Sequence, residues 1–223
     1  MRGRDTKQAS MLCLISPESV VPSEHPLRAV KRLVEVVLRE LSPVFEQMYA
    51  KTGRPSLPPE RLLKATLLMA FYTVRSERMF CEQLSYNLLF KWFLDMDMHE
   101  AAFDPTTFGK NRGRLLQHDV AGHFFRAVVE QARKAGLMSV SPHVAQNRNR
   151  RRSAIDGRTT SPDGYAVSVG LRGMIERIFG WMKTTANFRR TRLRGLAKTT
   201  LLGTLVGSAY NILRLARLTH VAA

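Results

Sequence analysis

The stretch LRAVKRLVEVVLREL, residues 27–41, sets the fold class. Val30, Leu33, Val34, Val37, Leu38 and Leu41 recur at the three- and four-residue intervals that bring side chains onto one face of an α-helix. Working outward, a short second helix is expected after Pro43, and Gly53-Arg54-Pro55 then breaks the chain. Pro58-Pro59 opens a helix running through Leu62, Leu63, Leu67 and Met69 to about Thr73. A further helix or helix pair covers Arg78 to Phe93. Asp104-Pro105 reads as an N-cap followed by the favoured first helical residue, and another helix spans Val120 to Lys134. No strand pattern rises above noise, so the expected fold class is mainly α.

The 223 residues are 44% hydrophobic and 24% charged, an ordinary globular composition with length for one or two domains. Charge is the unusual feature. Thirty-five Lys and Arg against 18 Asp and Glu give a formal net charge of +17, which favours a polyanionic partner. Two cysteines, Cys13 and Cys81, fit neither a disulfide framework nor a zinc site, and six scattered histidines suggest no metal site. The N-terminus lacks the pattern of a secretory signal, and the uncharged stretch between Lys198 and Arg214 falls short of the ~20 apolar residues of a membrane span. A cytoplasmic protein with no membrane partner is expected.

The charge is uneven along the chain. Residues 1–138 hold 20 basic and 15 acidic residues, whereas 139–223 hold 15 basic and three acidic ones, Asp156, Asp163 and Glu176. Between the two parts lies VSPHVAQNRNRRRSAIDGRTTSPDG, residues 140–164, rich in turn formers and without apolar periodicity. Three parts follow: a helical region over 1–138, a loop or linker over 139–164, and a C-terminal segment over 165–223.

In the first part, Thr106, Thr107, Lys110, Asn111 and Arg112 fall on the early turns of one helix among several short ones. That arrangement suits a helix-turn-helix-like DNA-binding unit, in which Lys110 and Arg112 meet phosphates; it also suits a helical bundle whose charged faces are merely solvated. The aromatic residues Phe71, Tyr72, Phe80, Tyr86, Phe90, Trp92 and Phe93 fall among Leu and Met at helical spacing and are expected in the core.

In the last part, LRGMIERIFGWMKTT, residues 171–185, carries an apolar stripe of Leu171, Met174, Ile175, Ile178, Phe179 and Met182. At ~100° per residue, Arg172, Glu176 and Lys183 stand within about 40° of one another on another face. Two readings fit: a metal-ligating glutamate between cations that grip DNA phosphates, or a solvated face with an Arg172–Glu176 pair worth a few tenths of a kcal/mol, roughly. Beyond it, Arg189, Arg190, Arg192, Arg194 and Lys198 form a basic cluster suited to a phosphate backbone or simply to water. Gly203 and Gly207, four apart on the helix that follows, permit close packing.

These residues resemble the C-terminal signature of DDE transposases of the insertion sequence 5 group, in which a Tyr, an Arg, the catalytic Glu and a Lys recur at set spacings. Three residues separate Arg172 from Glu176, and six separate Glu176 from Lys183, which matches. Val169 stands where the signature puts its tyrosine, and Tyr165 is the candidate counterpart. NRRRSAIDGRTT (149–160), IERIFGWMKT and FRRTRLRGL are also similar to this group, as are PSEHPLR (22–28), GRPSLPPERLLKATLLMAFY (53–72), RSERMFCEQLSYNLLFKWFLDMDM (75–98) and FDPTTFGKNRGRLL (103–116) in the first part.

The resemblance implies a helical N-terminal DNA-binding domain and a ribonuclease-H-like catalytic domain acting in DNA transposition, with transposon ends as partner. It implies Mg2+ or Mn2+ held by two strand-borne aspartates and a glutamate, here Glu176, which is the one candidate for both catalysis and metal ligation. Only 37 residues, mostly polar, run from Ser139 to Ile175. A five-stranded sheet with strands of ~5 residues does not fit there. The C-terminal segment is therefore expected to be a truncated remnant, joined near Ser139 by an internal deletion and holding its metal poorly. Asp156 and Asp163 read as turn-forming loop residues. A DNA-binding protein defective in catalysis is expected; a regulator or inhibitor of transposition, acting at DNA ends or in mixed oligomers with the full-length enzyme, is the alternative. Homo-oligomers are also open.

Overall fold

The computed structural model describes residues 16–49, 56–136, 175–191 and 193–221. Among them are helices and no strand. The helices are α1 (Pro17–Val20), α2 (Pro26–Glu40), α3 (Ser42–Met48), α4 (Pro59–Phe71), α5 (Glu77–Tyr86), α6 (Leu88–Phe93), α7 (Pro105–Gln117), α8 (Val120–Lys134), α9 (Ile175–Lys183) and α10 (Leu196–Val221), with a 3-10 turn over Phe188–Arg190.

Local chemistry explains most of the boundaries. Proline stands in the first turn of α2, α3, α4 and α7, where its missing N–H costs nothing. His25 Nδ1 accepts from the Leu27 N–H at 3.2 Å, Ser76 Oγ from Met79 at 3.1 Å, Asn87 Oδ1 from Phe90 at 3.2 Å and Asp104 Oδ1 from Thr106 at 2.7 Å. Each satisfies a donor that the helix itself leaves unpaired. The Asn87 cap divides the 77–93 region into a pair of helices. Helix α4 stops at Phe71, two residues before the expected Thr73, because Thr73 takes a left-handed conformation (φ 55°) that ends the ladder.

The expected face of α2 is the buried one: Val30, Val34, Val37 and Leu38 are each 5% exposed or less. Helix α4 is buried more nearly all round, as its Leu-rich text requires of a central element. It carries Lys64 into the interior, where Asp95 binds the ammonium and Glu35 stands 3.8 Å away. Lys31 joins the same carboxylate at 2.5 Å. Phe80, Phe90, Trp92 and Phe93 are core residues as expected, whereas Tyr72 and Tyr86 lie at the surface, 42% and 67% exposed. Tyr72 still covers the core by tilting over Phe90, with ring centroids 5.3 Å apart.

The C-terminal helix completes this core. Leu201, Leu205, Val206, Ala209, Ile212, Leu215 and Ala216 of α10 are buried and belong to one hydrophobic cluster with residues of α2, α4, α7 and α8. Ser208, fully buried on that helix, donates back to the Thr204 carbonyl at 2.9 Å, so its hydroxyl is not left unpaired in the core.

Candidate functional site

The basic segment hangs between α9 and α10. Helix α9 rests on α10, with Trp181 and Met182, and Ala186 just beyond the helix, packed on the core and the Trp181 ring 5.5 Å from that of Tyr210. Phe179, expected in the apolar stripe, is 54% exposed, because α10 offers a single rod to pack on and covers only one side of α9. Asn187 turns the chain in a left-handed conformation (φ 53°), which Asn tolerates, and the 3-10 turn follows. Phe188 then packs on Gly203, where a Cβ would sit 3.4 Å from Phe188 Cζ. This contact anchors the turn, and Arg189 and Arg190 project to solvent from it.

Glu176 lies in the first turn of α9 and Lys183 in its last, both exposed. Arg189, Arg190, Arg194 and Lys198 are exposed as well, and none of these five cations has a carboxylate within 4.0 Å among the described residues. Arg172 and Arg192 lie outside the described residues, as do Tyr165, Val169, Asp156 and Asp163.

On α7 the two expected phosphate ligands differ. Lys110 is exposed. Arg112 is partly buried and ion-paired with Glu77, tying α7 to α5, and burial lowers its guanidinium pKa. Asn111 is held too: its amide donates to the Thr107 carbonyl at 2.9 Å and its carbonyl oxygen accepts from Ser56 and Arg114 at 3.3 and 3.1 Å. Sequence spacing does not single out Arg75 and Arg78. The α4–α5 turn, anchored by buried Val74, and the first residues of α5 set them at the rim of a cleft whose far wall includes Ala186, Arg190, Leu193 and Leu205. Their only signal was the YTVRSER turn text, which does not distinguish them from other surface cations.

Two-ion phosphodiester chemistry requires several carboxylates converging on one point. Among the described residues no group of three or more His, Cys, Asp or Glu side chains could hold a metal ion. Glu176 supplies one carboxylate, so these residues do not fit the ions that the resemblance implies. No helix among the described residues is long and apolar enough to cross a membrane.

Residues 15–114 match a family model described as a transposase domain, and residues 130–216 match one described as a transposase DDE domain. No curated protein and no solved structure matches the chain.

Proposed function

We propose that this chain, which belongs to the DDE transposases, serves DNA transposition by binding transposon ends without cutting or joining them. The observation that carries this reading is the set of exposed cations Lys183, Arg189, Arg190, Arg194 and Lys198, which form no ion pair among the described residues, on and beside a turn that Phe188 anchors to α10. Such cations release counterions from DNA, and five phosphate contacts give a slope of log K against log salt of about −4.5. Arg172, Arg192 and Lys110 are further candidate phosphate ligands in this reading, with Arg112 acting by holding α7 in place. Lack of catalysis follows from the short, polar text between Ser139 and Ile175, read as the scar of an internal deletion in a member of the insertion sequence 5 group, and from a single carboxylate at Glu176.

The test uses purified protein and a labelled transposon end with magnesium or manganese, with Glu176→Ala alongside. Binding that survives raised salt and competitor DNA, equal in both proteins and without cleavage or strand transfer, is the expected result. Cleavage that disappears in Glu176→Ala would overturn the non-cutting reading.

A second reading, a regulator forming mixed oligomers with the full-length enzyme, is favoured by exposed Phe179 and by Leu196, which is 85% exposed. Suppression of strand transfer when this chain is added to the active enzyme, relieved by Phe179→Ser, is its signature.

A further inference from the structure

The cleft between the two parts of the chain has a volume of about 500 Å3. One wall is the α4–α5 turn with α5 and α7, and the other is the basic turn with the start of α10. Its floor is apolar, including Leu62, Met69, Phe108, Leu115, Leu202 and Leu205. Its rim is cationic. Arg75, Arg78 and Arg190 are exposed there, and no ion pair engages them among the described residues. Glu77, the one acidic residue of the lining among the described residues, is already taken by Arg112.

A phosphate backbone would use the rim and leave the floor idle. A base pair in a duplex has both faces stacked on its neighbours, so a duplex presents no flat apolar surface to fill such a floor. An unpaired nucleotide presents both an exposed base face and phosphates on either side, and the volume falls within the roughly 300–1,000 Å3 of pockets that enclose small ligands. We infer that this cleft binds single-stranded DNA, seating one unpaired base on the apolar floor while Arg75, Arg78 and Arg190 hold the flanking phosphates. The inference rests on the DNA-binding reading and narrows it. The site is composite, since Arg75 and Arg78 come from the N-terminal helices and Arg190 from the C-terminal segment. Arginine suits the task because its planar fork takes two phosphate oxygens at once.

The experiment measures binding of the full chain to a short fluorescein-labelled oligothymidylate and to a duplex of the same length, and repeats the first with 2-aminopurine at the central position. Variants are the double substitution Arg78→Gln/Arg190→Gln and, for equal loss of charge outside the cleft, paired Arg126→Gln/Arg133→Gln. The single strand is expected to bind with a change in 2-aminopurine emission, and the cleft variant to weaken it by roughly 30-fold while weakening the duplex by about 3-fold. The control pair should weaken both equally and leave the emission change intact. Equal loss of both ligands in the cleft variant, or an emission change insensitive to it, would overturn the inference. Duplex binding without single-strand binding would overturn it and leave the DNA-binding reading standing; no binding of either would remove both.

Discussion

Replacing Ile212 by Ala tests whether the C-terminal helix belongs to the core of the N-terminal helices. Ile212 is 1% exposed, on an α10 face that packs against α8, α2 and α4. Truncating a buried Ile to Ala costs ~2–5 kcal/mol, because the transfer energy of three carbons is lost and the cavity closes only in part. Taking about 3 kcal/mol and a urea slope of ~2 kcal/mol/M, the unfolding midpoint falls by about 1.5 M. The two tryptophans provide the assay, since Trp92 is buried in the N-terminal part and Trp181 stands on α9. In a Trp181→Phe background the fluorescence reports only Trp92, which lies on α6, far along the chain from the substitution. A shift of the Trp92 midpoint equal to that seen by circular dichroism is expected. An unmoved Trp92 transition would refute the shared core. Phe179→Ala, at a side chain 54% exposed, serves as the control and should move the midpoint by less than about 0.5 kcal/mol in equivalent terms.

Asp95 offers a pH test: burial pushes its pKa up, but hydrogen bonds from Lys31 and Lys64 outweigh this and hold the carboxyl below the usual range. A depressed carboxylate contributes stability that is present above its unfolded value, ~3.9, and is lost as pH falls through the lower folded value. Asp95→Asn, which tolerates the left-handed φ of 53°, should cost about 1–2 kcal/mol at pH 7 and flatten the stability profile below pH 5; the side chain is half exposed and Glu35 still faces Lys64, which keeps the loss below that of a fully buried pair. Equal acid sensitivity in both proteins, followed by urea titration at each pH, would contradict this. Cys81, whose thiol burial and the Asp104 charge push up to about 11, should resist alkylation at pH 8 in a Cys13→Ser background and react freely in urea, as counted by mass spectrometry. At Gly207 an added Cβ meets nothing within 4 Å, so Gly207→Ala should raise stability by about 0.5–1 kcal/mol through helix propensity alone; a drop in melting temperature would show that a close helix approach depends on that glycine.

The helices of the first part were legible because their signals are local. Proline and a capping side chain mark the starts of α2 and α7, and the apolar spacing of Val30, Val34 and Val37 marks a face. The short α1, at Pro17–Val20, has too few residues for any period to show. What periodicity does not encode is which helix a face meets. The apolar text of α10 predicted a helix but left open what it covers, and only the fold shows it packed on α8, α2 and α4. The same distinction separates the site residues. Arg189, Arg190, Arg192, Arg194 and Lys198 can be picked out as a cluster because they are neighbours in sequence. Arg112 looks identical to Lys110 in text, yet Glu77, brought beside it by the α5–α7 contact, engages its charge.

The packing of α10 also bears on how the chain could fold if, as proposed, part of a catalytic domain has been deleted. A catalytic segment built to pack on a sheet would expose a broad apolar surface if the sheet were absent, and such a surface promotes aggregation. Here the cost is confined. The long helix spends its apolar face on the N-terminal bundle, where Leu205, Val206, Ala209 and Ile212 are each 2% exposed or less, and α9 covers part of the remainder through Trp181 against Tyr210. Among the described residues of this segment, Phe179 of α9 and Leu196 and Leu218 of α10 remain exposed. Because α10 is anchored in the bundle and Phe188 is anchored on α10, the basic turn is held at a fixed place relative to Arg75 and Arg78. Fixing cations before the ligand arrives removes ordering entropy from the binding step. The proposed DNA binding would therefore depend on the core as much as on the charges. Ile212→Ala, with every cation retained, should weaken single-strand binding in urea concentrations where the variant is partly unfolded and leave it unchanged in water; equal affinity of both proteins across that urea range would show that the charges bind without the fold.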